Sequence, residues 1–324
     1  MARAAARVGH AVAFSGRRSA LDPEFEFDVF PSGTERTPKR VPLRVTSLGE
    51  EQQAFRDGFA GWIARARAAE VFSVGADWRP DVVVCDETDY GAMVAAERLG
   101  LPHVTVLVLA SDAFVPRDLV PKRSDLVLTP FPPSLRPLGA AQGFRLFADV
   151  AARAAAPTVY FTLGTVFNLE SGDLFTRVLA GLRQLDVDVV ATVGRQIDPA
   201  ELGPQPERVR VERWLPHSDV LPRCSAVVSH GGSGSVLAAL AHGLPSVLLP
   251  MGADQPLNAA RCAELGVALV LDPLGATPQD VAEAVETVLS DASYRAAAEG
   301  VRDEIRALPG PEHALALLER LIET

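Results

Sequence analysis

Short apolar runs alternate along the chain with longer stretches in which apolar residues recur every three or four positions. That is the trace left by buried strands joined through crossover helices. In the first half the strand-like runs are HAVAFS (10–15), EFDVF (26–30), DVVVCD (81–86), HVTVLVL (103–109) and DLVLTP (125–130), and the longest helix is expected between Glu50 and Trp78, ended by the turn at Pro80. In the second half they are TVYFTLGT (158–165), VDVVATV (187–193), RVRVERW (208–214), AVVSH (226–230), PSVLLP (245–250) and VALVLD (267–272), with helices expected to stop at Gly243 and Gly266. Most of these runs are continuously apolar, as parallel strands covered on both faces require. The expected fold class is α/β, with two Rossmann-like, doubly wound parallel-sheet domains.

A chain of 324 residues exceeds what one core usually organises, and two domains of about 150 residues each follow. The stretch RPLGAAQGFRLFADVAARAAAP (136–157) has no strand period and is rich in Ala, Gly and Pro, so the domains are placed at 1–150 and 151–324. The last amphipathic run, PEHALALLERLIET (311–324), follows Pro309-Gly310-Pro311 and is expected to cross back onto the first domain.

Composition narrows the function. A net charge of −10 offers no basic field to a phosphate backbone, which excludes nucleic acid as the expected partner. Three cysteines, Cys85, Cys224 and Cys262, are widely spaced and lack a C-x-x-C pair, which argues against a disulfide framework and a zinc site and for a reducing cytoplasm. No apolar run approaches the ~20 residues that span a bilayer, so no membrane partner is expected, while a homodimer is among the expected assemblies.

The most informative stretch is VVSHGGSGSVLAALAHGLPSVLLPMGADQ (227–255). A strand ending near Ser229 delivers His230 and a Gly/Ser run to the carboxyl edge of a sheet, where ligands of open α/β folds bind. Gly231, Gly232 and Gly234 permit close backbone approach to an anion, and the free N–H groups opening the next helix, near Ser233 to Val236, point at it. Ser233 and Ser235 add hydroxyls and His230 a ring donor. Two other readings stand beside this phosphate cradle. The glycines can simply turn a strand into a helix, or Ser233 can be a nucleophile, since Ser233, Asp272 and His313 follow the chain order of an α/β-hydrolase triad. Leu237 in the third-glycine slot excludes the dinucleotide fingerprint, and the absence of Gly-Lys-Ser/Thr excludes a Walker loop.

Companion segments favour the cradle. YFTLGT ends in Gly164-Thr165, a second strand-to-loop edge with a small hydroxyl residue. ERWLPHSD puts Trp214 and Leu215 after a strand, where an indole can stack on a nucleobase or fill core. MGADQPLNA puts Asp254 and Gln255 at the mouth of the next strand, suited either to sugar hydroxyls or to capping a helix.

The motifs FTLGT, RWLPH, SHGGSGSVLAALAHGLPSVLLP and GADQPLNAARCAELG, in that order, resemble the donor half of GT-B glycosyltransferases that decorate bacterial antibiotics and plant metabolites. PDVVVCD and LTPFPPSLRP carry the resemblance more weakly into the first half, toward macrolide- and enediyne-type members. The resemblance implies inverting, metal-independent transfer from a nucleotide sugar to a small natural-product acceptor, with no cofactor. It implies that His230 contacts a donor phosphate, that Gly232, Ser233, Gly234 and Ser235 cradle the diphosphate, and that Gly164 and Thr165 reach it from the facing loop. Asp254 and Gln255 would hold the sugar, and Trp214 with Leu215 the base. Where plant-type members carry a ribose-binding glutamate this chain has Ala238, which implies a dTDP-sugar over a UDP-sugar.

Such relatives begin with a strand, a loop carrying the catalytic histidine, and a helix. MARAAARVGHAVAF resembles the end of that helix, so the first strand and loop are expected to be missing and the first domain shortened. His10 matches a structural position, and Asp86 the carboxylate that orients the catalytic histidine, with Glu87 and Asp89 as neighbouring substitutes; the competing role for Asp86 is a bond to local backbone. A non-catalytic nucleotide-sugar-binding relative, a sugar-nucleotide epimerase and a serine hydrolase are the alternatives.

Overall fold

The computed structural model describes residues 1–323 apart from 18–24, 32–40, 117, 120–123, 148–156 and 166. In chain order the first half contains α1 (Ala2–Arg7), β1 (Ala13–Gly16), β2 (Asp28–Pro31), α2 (Leu48–Asp57), a π-helical turn at Gly58–Trp62, α3 (Ile63–Trp78), β3 (Val83–Asp86), α4 (Tyr90–Leu99), β4 (His103–Val106), β5 (Leu126–Thr129) and β6 (Gln142–Gly143). The second half contains β7 (Thr158–Thr162), α5 (Leu174–Leu182), β8 (Asp188–Thr192), β9 (Val209–Glu212), α6 (His217–Val220), β10 (Ala226–Ser229), α7 (Ser233–Ala241), β11 (Ser246–Leu248), α8 (Gln255–Glu264), β12 (Ala268–Val270), α9 (Pro278–Ser290), α10 (Ala292–Ala307) and α11 (Pro311–Ile322). Gly243 and Gly266, with φ of 63° and 69°, follow the ends of α7 and α8 as the sequence suggests. The expected helix from Glu50 to Trp78 is instead two helices joined at a kink, where Gly61 takes a non-helical φ of −103° and ψ of −109°.

The second half is one six-stranded sheet in the order β12-β11-β10-β7-β8-β9, every pair parallel. Counted within the domain, this is the doubly wound order 3-2-1-4-5-6, and its direction reverses between β7 and β10. The register there pairs Thr162 with Ser229, so the chain leaves both strands at the same level. Apolar side chains cover both faces. Phe161, Val189 and Val228 pack with α5 and α9 through Val178, Leu182, Val281 and Val285, while Tyr160 and Val227 lie under Ala238 and Ala239 of α7.

The first half is less continuous. β3, β4, β5 and β6 form a four-stranded sheet and β1 pairs with β2 in a separate one; all pairings are parallel. The run HVTVLVL stays in the sheet only to Val106 and then leaves it. Of the stretch 136–157, Phe144 is buried in the first-half core, while 148–156 lie outside the described residues.

Two seams join the halves. Ala110, Phe131 and Leu135 pack with Val236, Leu237, Leu240 and Ala241 of α7, and the Arg261 guanidinium donates twice to the Ser134 carbonyl, at 2.9 and 2.6 Å. At the other end Ala314 and Leu318 of α11 pack with Val104, Leu128 and Phe144, and Leu315 packs with Ala4 and Ala5. The Phe144→Ala variant is expected to lose about 3–5 kcal/mol in urea denaturation; a loss below ~1 kcal/mol would show that α11 does not close this core.

Candidate functional site

The sheet order fixes where a ligand can enter. At the reversal between β7 and β10 the chain runs on to α5 on one face of the sheet and to α7 on the other, and the carboxyl edge between two such loops is where ligands of open α/β folds bind. The loop after β7 is Leu163-Gly164-Thr165; the loop after β10 is His230-Gly231-Gly232, running into α7.

These loops touch. The His230 ring lies between Gly164 and Gly232: a Cβ at Gly164 would stand 2.6 Å from both Nε2 and Cε1, and one at Gly232 would collide with the same nitrogen. Gly164 also holds φ at 74°, which excludes other residues on conformational grounds. The ring is buried, and burial alone lowers its pKa to about 4, so the imidazole is neutral at pH 7. Nδ1 is buried and has no hydrogen-bond partner.

Beyond His230, Gly232 caps α7 and contributes no side chain to its first turn. The first amides of a helix have no intrahelical partner and can receive an anion. Gly234 is exposed with open space above it, Ser235 is half-buried and Thr165 is exposed. The Ser233 hydroxyl, expected to point at the ligand, is occupied. It donates to Asp254 Oδ2 and accepts from the Ala110 N–H at 2.6 Å and from Asn258 Nδ2 at 3.1 Å. A hydroxyl has one donor and two acceptor positions, and all three are used.

Asp254 and Gln255 likewise spend bonds internally. Asp254 Oδ2 also accepts from Asn258 Nδ2 at 2.8 Å, while Oδ1 takes no part in that network. Gln255 Oε1 accepts from the Met251 and Gly252 amides at 2.8 and 3.3 Å, closing the loop that opens α8. Ala253 in this loop holds a left-handed φ of 53°, a conformation that costs a non-glycine residue about 1–2 kcal/mol. Asn258 itself was not singled out by the sequence reading. It is fully buried and also donates to the Gly231 carbonyl at 3.0 Å. Its spacing of four residues from Asp254, one helical turn, was the available signal.

Trp214 follows β9 on the same carboxyl edge, two strands from β7. Its indole is 39% exposed, and the Arg195 guanidinium lies 5.0 Å from the ring centroid, leaving the indole partly open for stacking. Leu215 beside it is half-buried. Ala238 is fully buried against Tyr160, Val220 and Leu221; it does not line the crevice, so its bearing on the nucleotide is only that no polar group stands there.

The carboxylates expected to orient a catalytic histidine are engaged elsewhere, and His10, expected at a structural position, meets a carboxylate of the last helix. Asp86 Oδ1 accepts from the Thr88 N–H and hydroxyl at 2.7 and 2.5 Å, the local turn that was its competing role. His10 Nε2 lies 2.9 Å from Glu319 Oε1 on α11. Glu87 is buried in a bidentate pair with Arg136, and Asp89 caps α4 and meets Arg67 at 3.0 Å. The triad reading fails on geometry. Ser233 is bonded to Asp254 rather than to an imidazole, Asp272 caps the Leu274 amide, and His313 is an exposed residue of α11.

Residues 176–321 match the family described as erythromycin biosynthesis protein CIII-like, C-terminal domain. The chain is 31% identical over 292 residues to a 10-deoxymethynolide desosaminyltransferase of Streptomyces venezuelae, covering 75% of this chain and 68% of that protein. The chain belongs to the antibiotic-type glycosyltransferases. Within this family it is also 32% identical over 274 residues to an elloramycin glycosyltransferase of Streptomyces olivaceus, covering 74% and 68% of the two chains. Against a 4′-demethylrebeccamycin synthase of Lentzea aerocolonigenes it is 38% identical over 166 residues, but spans only 38% of that protein. Among solved structures, a spinosyn rhamnosyltransferase complexed with thymidine diphosphate superposes with a TM-score of 0.77 at 23% identity, covering 98% of this chain and 94% of that one. It has the same two-domain α/β fold.

Because burial holds the His230 pKa at about 4 against an unfolded value near 6.5, the unfolded chain binds the extra proton first. Stability is therefore lost as pH falls from about 6.5 toward 4. Between pH 6.5 and 5 the wild type is expected to lose about 1.5 kcal/mol more than His230→Gln, read by urea denaturation at each pH; parallel losses would place the ring in water.

Proposed function

We propose that this glycosyltransferase moves a sugar from a nucleotide-diphosphate donor, a dTDP-sugar in preference to a UDP-sugar, to a hydroxyl of a small natural-product acceptor, with inversion and without a metal. The observation that carries the reading is the neutral His230 ring, held between Gly164 and Gly232 at the strand-order reversal, with a buried nitrogen that has no partner. A phosphate oxygen would satisfy one ring N–H while the amides at the start of α7 and the Thr165 hydroxyl complete the cradle. Asp254 would offer Oδ1 to a sugar hydroxyl, Gln255 would set the loop that receives the sugar, and Trp214 with Leu215 would take the base.

In the reaction the acceptor hydroxyl oxygen bonds to the anomeric carbon and gives up its proton to water as the bond to the diphosphate oxygen breaks, and the leaving group departs with the electron pair. Fixed donors aimed at that developing charge lower the barrier most in a site that excludes water. The preference for dTDP is supported by a similar structure having been solved with thymidine diphosphate.

A second reading, a relative that binds nucleotide sugar without transferring it, is favoured by the engagement of Asp86 with Thr88. The two differ in turnover. Incubation with a dTDP-sugar and a polyketide-derived acceptor is expected to release dTDP at a rate unaffected by EDTA, with the anomeric configuration inverted by NMR; dTDP binding with no release under any acceptor would favour the binder. In calorimetric titration dTDP is expected to bind, UDP more weakly, and His230→Ala to weaken dTDP about tenfold or more. Equal or tighter binding of UDP would overturn the nucleotide preference.

A further inference from the structure

The first domain reaches the diphosphate loop through a buried ion pair. Glu87 follows β3 and Arg136 lies beyond β5; both side chains are over nine-tenths buried. The Arg136 guanidinium spans both Glu87 oxygens at 2.8 Å each and donates again to the Leu109 carbonyl at 2.5 Å. Glu87 Oε1 in turn accepts from the Val108 and Leu109 amides, both at 2.8 Å. Three backbone groups of the segment that leaves the sheet after Val106 are thus held by two side chains, and the next amide, Ala110 N–H, donates to Ser233 Oγ.

We propose that Glu87 and Arg136 are positioning residues for the nucleotide-diphosphate loop, acting through the Ala110 N–H on the Ser233 hydroxyl. This rests on the reading above that residues 231–235 hold the diphosphate. A planar guanidinium matched to a carboxylate and one carbonyl fixes direction as well as charge, which a lysine ammonium cannot do. Because Ser233 also joins Asp254 and Asn258, shifting Ala110 shifts the start of both α7 and α8. The pair touches no substrate; its effect is to make the cradle rigid and to couple it to the first domain.

The test uses Arg136→Lys, which keeps the charge and loses the fork, in wild-type and Ser233→Ala backgrounds. In the wild-type background it is expected to weaken dTDP binding about tenfold and to accelerate hydrogen exchange in the peptide covering Leu107 to Asp112. In the Ser233→Ala background it is expected to add less than about twofold, since the link is already cut. A loss of equal size in both backgrounds, or unchanged exchange across 107–112, overturns the proposal. Should wild type fail to bind dTDP, the functional reading fails, and the exchange comparison still decides the relay. If Arg136→Lys does not fold, the double variant Glu87→Gln with Arg136→Gln, which removes both buried charges together, replaces it with the same expected outcomes.

Discussion

The crevice depends on how closely the loop after β7 approaches the loop after β10. Parallel strands at the order reversal bring both chain ends to one level, and only glycine at 164 and 232 leaves room for an imidazole between them. The ring is stripped of water, which keeps it neutral. A neutral ring can donate to one oxygen without a proton first being taken up. Surrounding it with larger side chains would separate the loops, and moving it into solvent would remove the reason for the two glycines.

The second constraint is polar rather than steric. The Ser233 hydroxyl has its full set of hydrogen bonds and is shared among three segments: the loop after β4, the start of α8, and its own helix. Buried networks of this kind are costly when incomplete and orienting when complete. Hydrophobic contact between α7 and residues 131–135 closes the same seam. The helix that opens at the crevice is consequently packed by both domains, and its tilt is not a property of the second domain alone.

Much of this was legible in the sequence. Continuous apolar runs gave the strands of the second sheet, and a histidine at a strand tip followed by glycines marked the crevice. What the residue types could not convey was which polar groups would be consumed. Ser233 and Asp254 read as ligand contacts because hydroxyls and carboxylates suit sugars and phosphates, yet they meet each other. Asp86 read as a strand-end carboxylate free to orient a base, and Thr88 two residues later takes it. HVTVLVL read as strand to Leu109, because nothing in a run of apolar residues shows that Glu87 and Arg136 take the Val108 and Leu109 amides and the Leu109 carbonyl. Arg136 sits in PPSLRP, and only the fold brings it to Glu87.

The return of α11 onto the first-half core has a bearing on chimaeras built to exchange first domains between relatives. A junction cut at the stretch before β7 would divide the sequence cleanly but not the molecule. The incoming first domain would have to accept a foreign α11 against its sheet, a foreign α7 against residues 131–135, and a foreign serine beneath its Ala110 amide. A graft that respects this architecture carries residues 311–322 with the first domain and matches the seam at 107–110 and 131–136 to its new partner.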